Sequence, residues 1–179
     1  MGNDILFLPK EISSLNNLQV LGLSELKKLN FADAFIKLSS LPNLEELYIS
    51  FNDLEHLPSE IGLLKNLKKL MLYNNPLLEL NSEICNLTNL EVLAMSHCQF
   101  MNLPMEIEDL TALKEVSFIS CPQLDFVDAF EKLSNLPQLQ KMDLFNNYLN
   151  RLPDEIGLLT NLYELSLSSN NLKSLPDAL

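Results

Sequence analysis

The stretch Leu44-Glu-Glu-Leu47-Tyr-Ile49-Ser-Phe-Asn52-Asp-Leu54-Glu-His-Leu57-Pro58 decides the fold. Its apolar residues at 44, 47 and 49 include a pair two apart, the spacing of a short strand with one buried face. Residues 59–64 lose that alternation. Glu60-Ile61 and Leu63-Leu64, starting beside Pro58, suit a short helical turn of 3₁₀ or α type. The same pattern returns in Leu139-Gln-Lys-Met142-Asp-Leu144-Phe-Asn-Asn147-Tyr-Leu149-Asn-Arg-Leu152-Pro153. Copies open at Leu18, Leu44, Leu67, Leu90, Leu113, Leu139 and Leu162, and a partial copy over 3–17 precedes them. Four complete copies are 23 residues long (44–66, 67–89, 90–112, 139–161) and two are 26 long (18–43, 113–138).

Strand then helical turn, repeated without a hairpin signal, gives parallel strands joined by crossovers. Seven strands at roughly 4.8 Å spacing make a curved sheet about 30 Å long. Only one face of each strand is apolar, so the other face stays open. In the long copies 32–41 has room for about two helical turns. The pair Phe31-Ala-Asp-Ala-Phe35 and Phe126-Val-Asp-Ala-Phe130 lies 95 residues apart, and the copies that follow also match, Glu60-Ile-Gly-Leu-Leu64 against Glu155-Ile-Gly-Leu-Leu159. A four-repeat block has been duplicated. Phe31, Phe35, Phe126 and Phe130 are expected to fill the core on the helical side, and Gly62 and Gly157, at equivalent places, to permit close packing.

These copies resemble leucine-rich repeats over essentially the whole chain. The L-P-x-E-I-x-x-L-x-N-L segments are similar to the 23-residue plant or Ras-group intracellular class, also common in bacteria. The resemblance implies an α/β leucine-rich-repeat solenoid: a right-handed arc with a parallel concave sheet and short helices on the convex side, forming one domain over 1–179 with partial repeats at both ends. It also implies a ladder at position nine, where side-chain amides of Asn52, Asn75, Asn147 and Asn170 satisfy buried backbone groups. Cys98 and Cys121 occupy that column in the fourth and fifth repeats as small thiols. Leu26 occupies it in the first, and a break is expected there.

Little else in the sequence carries chemistry. No calcium loop, phosphate loop, dinucleotide fingerprint or nucleophile elbow occurs, so no enzyme activity, cofactor or metal site is expected. His97 and Cys98, read as neighbours on a strand, point to opposite faces and do not share a metal. A Cys98–Cys121 disulfide is conceivable across adjacent strands, with reduced core thiols the plainer reading. Cys85 is expected to be partly exposed. Carboxylates such as Glu106, Glu108, Asp154 and Glu155 sit at helix starts, where they suit the helix dipole.

Function is sought at the outward strand positions. Tyr48, Phe51, Met71 and Tyr73 form one contiguous group with His97 at its edge, and Ile119, Phe145 and Tyr163 a looser second one. Exposed aromatic clusters mark contact sites. The expected function is non-enzymatic binding of a protein or peptide on the concave sheet. The alternative is the recognition part of a larger enzyme, receptor or secreted bacterial effector. Neither end shows a polar cap, which adds self-association through the ends as an expectation.

The net charge of -12 disfavours nucleic acid and anionic membranes as partners. No apolar run is long enough to span a membrane. Three cysteines fit a reducing, cytoplasmic setting, with secretion or the cell surface as the alternative if the chain is trimmed. Met1-Gly2 raises myristoylation, but Leu6 stands where Ser or Thr is expected. The outward positions hold seven acidic and four basic residues, so that face is close to neutral, and most of the negative charge coats the rest of the surface.

Overall fold

Each repeat contributes one strand to a seven-stranded parallel sheet in strict sequence order. A computed structural model describes residues 3–179; Met1-Gly2, with the myristoylation question, lies outside them. The strands are β1 (Val20–Gly22), β2 (Glu46–Tyr48), β3 (Lys69–Leu72), β4 (Val92–Ser96), β5 (Glu115–Ile119), β6 (Lys141–Asp143) and β7 (Glu164–Ser166). The register is unshifted from copy to copy: Leu47 pairs with Leu70, Leu70 with Leu93, Leu93 with Val116 and Val116 with Met142. These residues all point into the core and are at most 2% exposed. A one-residue slip would turn the whole row outward, so burial of this row fixes the register.

The core lies between the sheet and the convex segments. Residues Ser59–Leu63, Ser82–Asn86, Met105–Asp109 and Asp154–Leu158 form single 3₁₀ turns, each sending one Ile inward: Ile61, Ile84, Ile107 and Ile156. Truncating a fully buried leucine of this core, such as Leu70→Ala, costs about 2–5 kcal/mol. Gly62 is required by contact: a Cβ there would stand 2.6 Å from the Glu83 carbonyl oxygen of the next turn.

The two long repeats carry true helices, α1 (Phe31–Leu38) and α2 (Phe126–Leu133). The side chain of Asn30 caps α1 by accepting from the Asp33 N–H, and Asp125 caps α2 through Val127 and Asp128. Their phenylalanines pair inside the core, Phe31 with Phe35 and Phe126 with Phe130, each at 5.8 Å between ring centres. A lysine in each last turn reaches back to the preceding repeat: Lys37 Nζ donates to the Leu8 carbonyl and Lys132 Nζ to the Leu103 carbonyl, both at 2.7 Å. Each also pairs with the aspartate one turn earlier. The duplicated halves thus share their tertiary ties as well as their letters.

Three expectations are corrected. Cys85 is buried at 3% exposure, because the turn carrying it packs against its neighbours rather than facing solvent. Its pKa is pushed up to about 12 by burial, then by the nearby carboxylates of Glu106, Asp109 and Glu83. His97 lies on a bend just past β4, so the argument from alternating strand faces does not apply to it. The break expected at Leu26 is one-sided: its side chain offers no amide to the turn before, but the column still reaches it from Asn52. The Leu26 backbone N–H donates to Asn52 Oδ1 at 2.6 Å, since the column needs only a main-chain donor on that side.

Candidate functional site

The open face is built by the residues that alternate with the core row. One file across it reads Gly22, Tyr48, Met71, Ala94, Ser117, Asp143 and Ser166; the next reads Val20, Glu46, Lys69, Val92, Glu115, Lys141 and Glu164. Tyr48 and Met71 are register partners and half-buried, and Tyr73 follows immediately beyond β3. At the amino-terminal edge Lys68 pairs with Glu45 at 2.7 Å and Lys114 with Glu91 at 2.8 Å; Lys141 reaches Glu164 at 2.8 Å. The Tyr48 hydroxyl donates to Glu46 Oε2 at 2.7 Å, and this bond, followed by burial, raises its pKa.

The middle of this face is not as open as the pattern implies. Ala94, Ser96 and Ser117 all point toward it, yet none is more than 3% exposed. They are small and lie beneath larger neighbours, Tyr73 among them. The Tyr73 ring is half-buried, and burial is the main reason its pKa is raised, with Asp143 and Glu115 adding to it. The Tyr73 hydroxyl approaches that of Ser117 without completing a hydrogen bond. The Ser117 oxygen is buried with no partner among the described residues.

Residues just past the strands form a rim with its own backbone signature. Glu25, Phe51, Asn74, His97, Ser120, Asn146 and Ser169, one per repeat, all have φ between 54° and 61°. That region suits Gly and Asn and is costly for a branched or bulky side chain, yet no Gly occupies it. Only Asn74 and Asn146 gave a sequence signal for it. Glu25, Phe51, Asn74 and His97 line a concavity of about 630 Å³, with the ion pairs Lys27–Asp53 and Lys28–Asp4 at its wall. Phe51 and His97 therefore belong to this rim, one step beyond the sheet that carries Tyr48 and Met71.

The second sequence group comes apart. Ile119 and Phe145 are adjacent at the carboxy-terminal rim, where the Ser120 N–H donates to the Phe145 carbonyl. Tyr163 precedes β7, five residue positions away along the strand direction, or roughly 16 Å. It is 69% exposed and stands under Lys141 Nζ, 5.7 Å from the ring centre. The reading of one looser group overlooked that position two and position seven lie at opposite strand ends.

Position nine forms hydrogen bonds across repeats. Asn75 Oδ1 accepts from the N–H groups of Asn52 and Leu54, and its Nδ2 donates to the Ile49 and Leu72 carbonyls, all within 3.0–3.2 Å. Asn147 accepts from Cys121 N–H and donates to the Phe118 carbonyl, and Asn170 accepts from Asn147 and Leu149. Cys98 and Cys121 are free, buried thiols lying side by side. Contact with Cys121, then burial, pushes the Cys98 pKa far up, so Cys98 stays a protonated thiol at neutral pH. A second asparagine column went unread in the sequence. Asn43, Asn66, Asn89 and Asn161, each just before a repeat's first leucine, donate to the carbonyls of Asn16, Pro42, Lys65 and Pro137.

Among the described residues no three His, Cys, Asp or Glu side chains gather closely enough to hold a metal ion. No helix among the described residues is long and apolar enough to cross a membrane.

A leucine-rich repeat region model matches residues 37–147, and a Leucine Rich Repeat model matches 161–179. Comparison of the sequence with curated proteins gave no match. Among solved structures, a leucine-rich-repeat protein of Leptospira interrogans is 30% identical with a TM-score of 0.68, covering 98% of this chain and 49% of its own. Internalin C2 of Listeria monocytogenes is 26% identical with a TM-score of 0.72, covering 97% of this chain and 71% of its own. The plant peptide hormone receptor RGFR1, in complex with RGF2, is 26% identical with a TM-score of 0.60, covering 94% of this chain and 27% of its own. The chain spans about half the length of the Leptospira protein. Its fold is a typical protein–protein interaction module, and proteins built on it are generally non-enzymatic. With seven parallel strands in one open sheet, repeat registers that agree throughout, and family models covering most of its length, the chain belongs to the leucine-rich-repeat family.

Proposed function

We propose that this chain binds a protein or peptide partner on its concave sheet and does no chemistry of its own. The observation that carries the reading is the placement of Tyr48 and Met71 as register partners, with Tyr73 beside them and Phe51 at the rim, on the face of the sheet that none of the described helical segments packs against. Large half-buried aromatics offer contact area at a small entropic cost and are favoured anchors. The similar plant receptor structure holds RGF2, which supports a peptide-sized occupant. A reducing, cytoplasmic setting is part of the reading, and it rests on the odd and low count of three cysteines in the sequence.

The test is a capture experiment with the immobilised chain, and bound proteins identified by mass spectrometry. The variant Tyr48→Ala/Phe51→Ala/Tyr73→Ala is expected to keep its fold by circular dichroism and to lose the specific partner. Full retention of the partner by the folded variant refutes the concave reading.

A further inference from the structure

Three tyrosines stand on the concave side, and two already carry a cation. Lys69 Nζ lies 5.9 Å from the centre of the Tyr48 ring, and Lys141 Nζ 5.7 Å from that of Tyr163. No cation lies over Tyr73 among the described residues. The carboxylates around Tyr73 are those that ion pairing leaves over. Glu45, Glu91 and Glu164 are taken by lysines, while Glu115 and Asp143 form no salt bridge among the described residues; Lys141, the register partner of Glu115, is turned to Glu164 and feels the Glu115 charge only more weakly. Both are close enough to Tyr73 to raise its pKa, behind the larger effect of burial.

The sheet brings these groups together. Ser117 faces Asp143 across one strand spacing, roughly 4.8 Å, and Glu115 lies two residues earlier on the strand of Ser117. Between them is the Ser117 hydroxyl, 3% exposed and without a hydrogen-bond partner. A buried hydroxyl left so raises the free energy of the fold, and a donor brought in from outside relieves it. The site therefore offers two carboxylates, two hydroxyl oxygens and one uncovered aromatic ring. An ammonium group presents three donors at a point. A guanidinium presents five in a plane and stacks on an aromatic face, which matches this set.

We infer that the partner inserts an arginine side chain over Tyr73, its guanidinium pairing with Glu115 and Asp143 and donating to Ser117 Oγ. This rests on the concave-face reading and names the chemistry of the partner at one point. Entry requires the Tyr73 ring to move aside from Ser117, a change about one side-chain bond. The concave face as a whole is close to neutral, so it is the local pair Glu115 and Asp143 that favours a basic side chain here.

The probe is the peptide Ac-Ala-Ala-Arg-Ala-Ala-NH₂ titrated into the ¹⁵N-labelled chain, against the same peptide carrying citrulline, which replaces the cation with a neutral urea of the same shape. The arginine peptide is expected to shift the amides of Tyr73, Ser117 and Asp143 and to bind at least fivefold more tightly than the citrulline peptide. Glu115→Gln and Asp143→Asn, the latter keeping an oxygen for the Phe145 N–H, are expected to weaken it at least fivefold each with the melting temperature unchanged. Ser117→Ala is expected to weaken it about threefold. Equal binding of the two peptides on the concave amides overturns the arginine assignment and leaves the concave reading standing. Shifts confined to convex or rim amides, or none at millimolar peptide, also overturn the assignment. In those cases the concave reading is judged separately by the aromatic triple variant.

Discussion

Replacing Asn75 by Ala removes the most completely engaged side chain of the position-nine column. The residue is 0% exposed and makes four hydrogen bonds, two accepted and two donated, all to main-chain groups of its own and the preceding repeat. Alanine leaves the Asn52 and Leu54 N–H groups and the Leu72 carbonyl without partners, in a place water does not reach, while the Ile49 carbonyl keeps Asn52 Nδ2. Each abandoned group costs about 1 kcal/mol at the low end of the usual range, so the loss is about 3 kcal/mol. For a chain of this length that corresponds to a fall in melting temperature of roughly 6–12 °C. Thermal and urea unfolding by circular dichroism measures it, and hydrogen exchange at the Asn52 and Leu54 amides locates it. Asn170→Ala, only partly buried, is expected to lose about half as much. Exposed Asn150→Ala is the control and is expected to stay within about 0.5 kcal/mol of the parent. If Asn75→Ala is no worse than Asn150→Ala, the ladder does not hold the repeats together and the reasoning is wrong.

Ser117→Ala deletes a buried hydroxyl that has no partner, so the free chain is expected to gain about 1 kcal/mol, seen as a rise of roughly 2–4 °C in melting temperature; a loss of stability would show that the hydroxyl is satisfied. At Phe51, with φ of 61°, Gly is expected to be more stable than Ala by about 1 kcal/mol despite its greater freedom when unfolded, because only the Cβ opposes the left-handed backbone; chemical denaturation of Phe51→Gly and Phe51→Ala decides it, and equal stability counts against strain at the rim. The Cys85 thiol, raised to about 12 in the fold, releases its proton earlier once unfolded. Stability is therefore fully present below pH 9 and is lost as pH rises from there toward 12, by up to about 1.4 kcal/mol per pH unit. Cys85→Ser is expected to flatten that alkaline slope in denaturation curves taken from pH 8 to 10.5, and an unchanged slope would mean the thiol does not contribute.

Most of the scaffold could be read from letters because it depends on one-dimensional spacing. The leucines of positions one, four and six, the short turns after Pro58 and Pro153, and the two helices with their phenylalanine pairs all follow from periodicity. The rest depends on what stands beside a residue in space. Ala94, Ser96 and Ser117 look outward in the pattern but are covered because their neighbours are larger. Cys85 is buried by the adjoining turns. Tyr163 shares a face with Phe145 but not a strand end. The left-handed rim was hidden because five of its seven residues are not types that favour it, the backbone being held there by bonds to the next repeat such as Phe51 N–H to the Tyr73 carbonyl. The concave aromatics were found, but the orphaned hydroxyl beside them cannot be seen without coordinates.

Both asparagine columns lapse together at one place, the position-nine column lapsing also at Leu26. Position nine turns to cysteine at 98 and 121, and the column before the first leucine turns to Ala112 and Gln138. That is where the first duplicated block meets the second. The two longest strands, β4 and β5, lie side by side there with five paired residues, so main-chain pairing takes over where amide cross-ties stop. In mechanical terms the two halves of the arc are spliced at midspan by strand pairing, and since each repeat touches only its neighbours, any load passing between the halves crosses β4 and β5. Tyr73, Ser117 and Asp143 straddle that splice, so a partner bound across them would grip both halves at once.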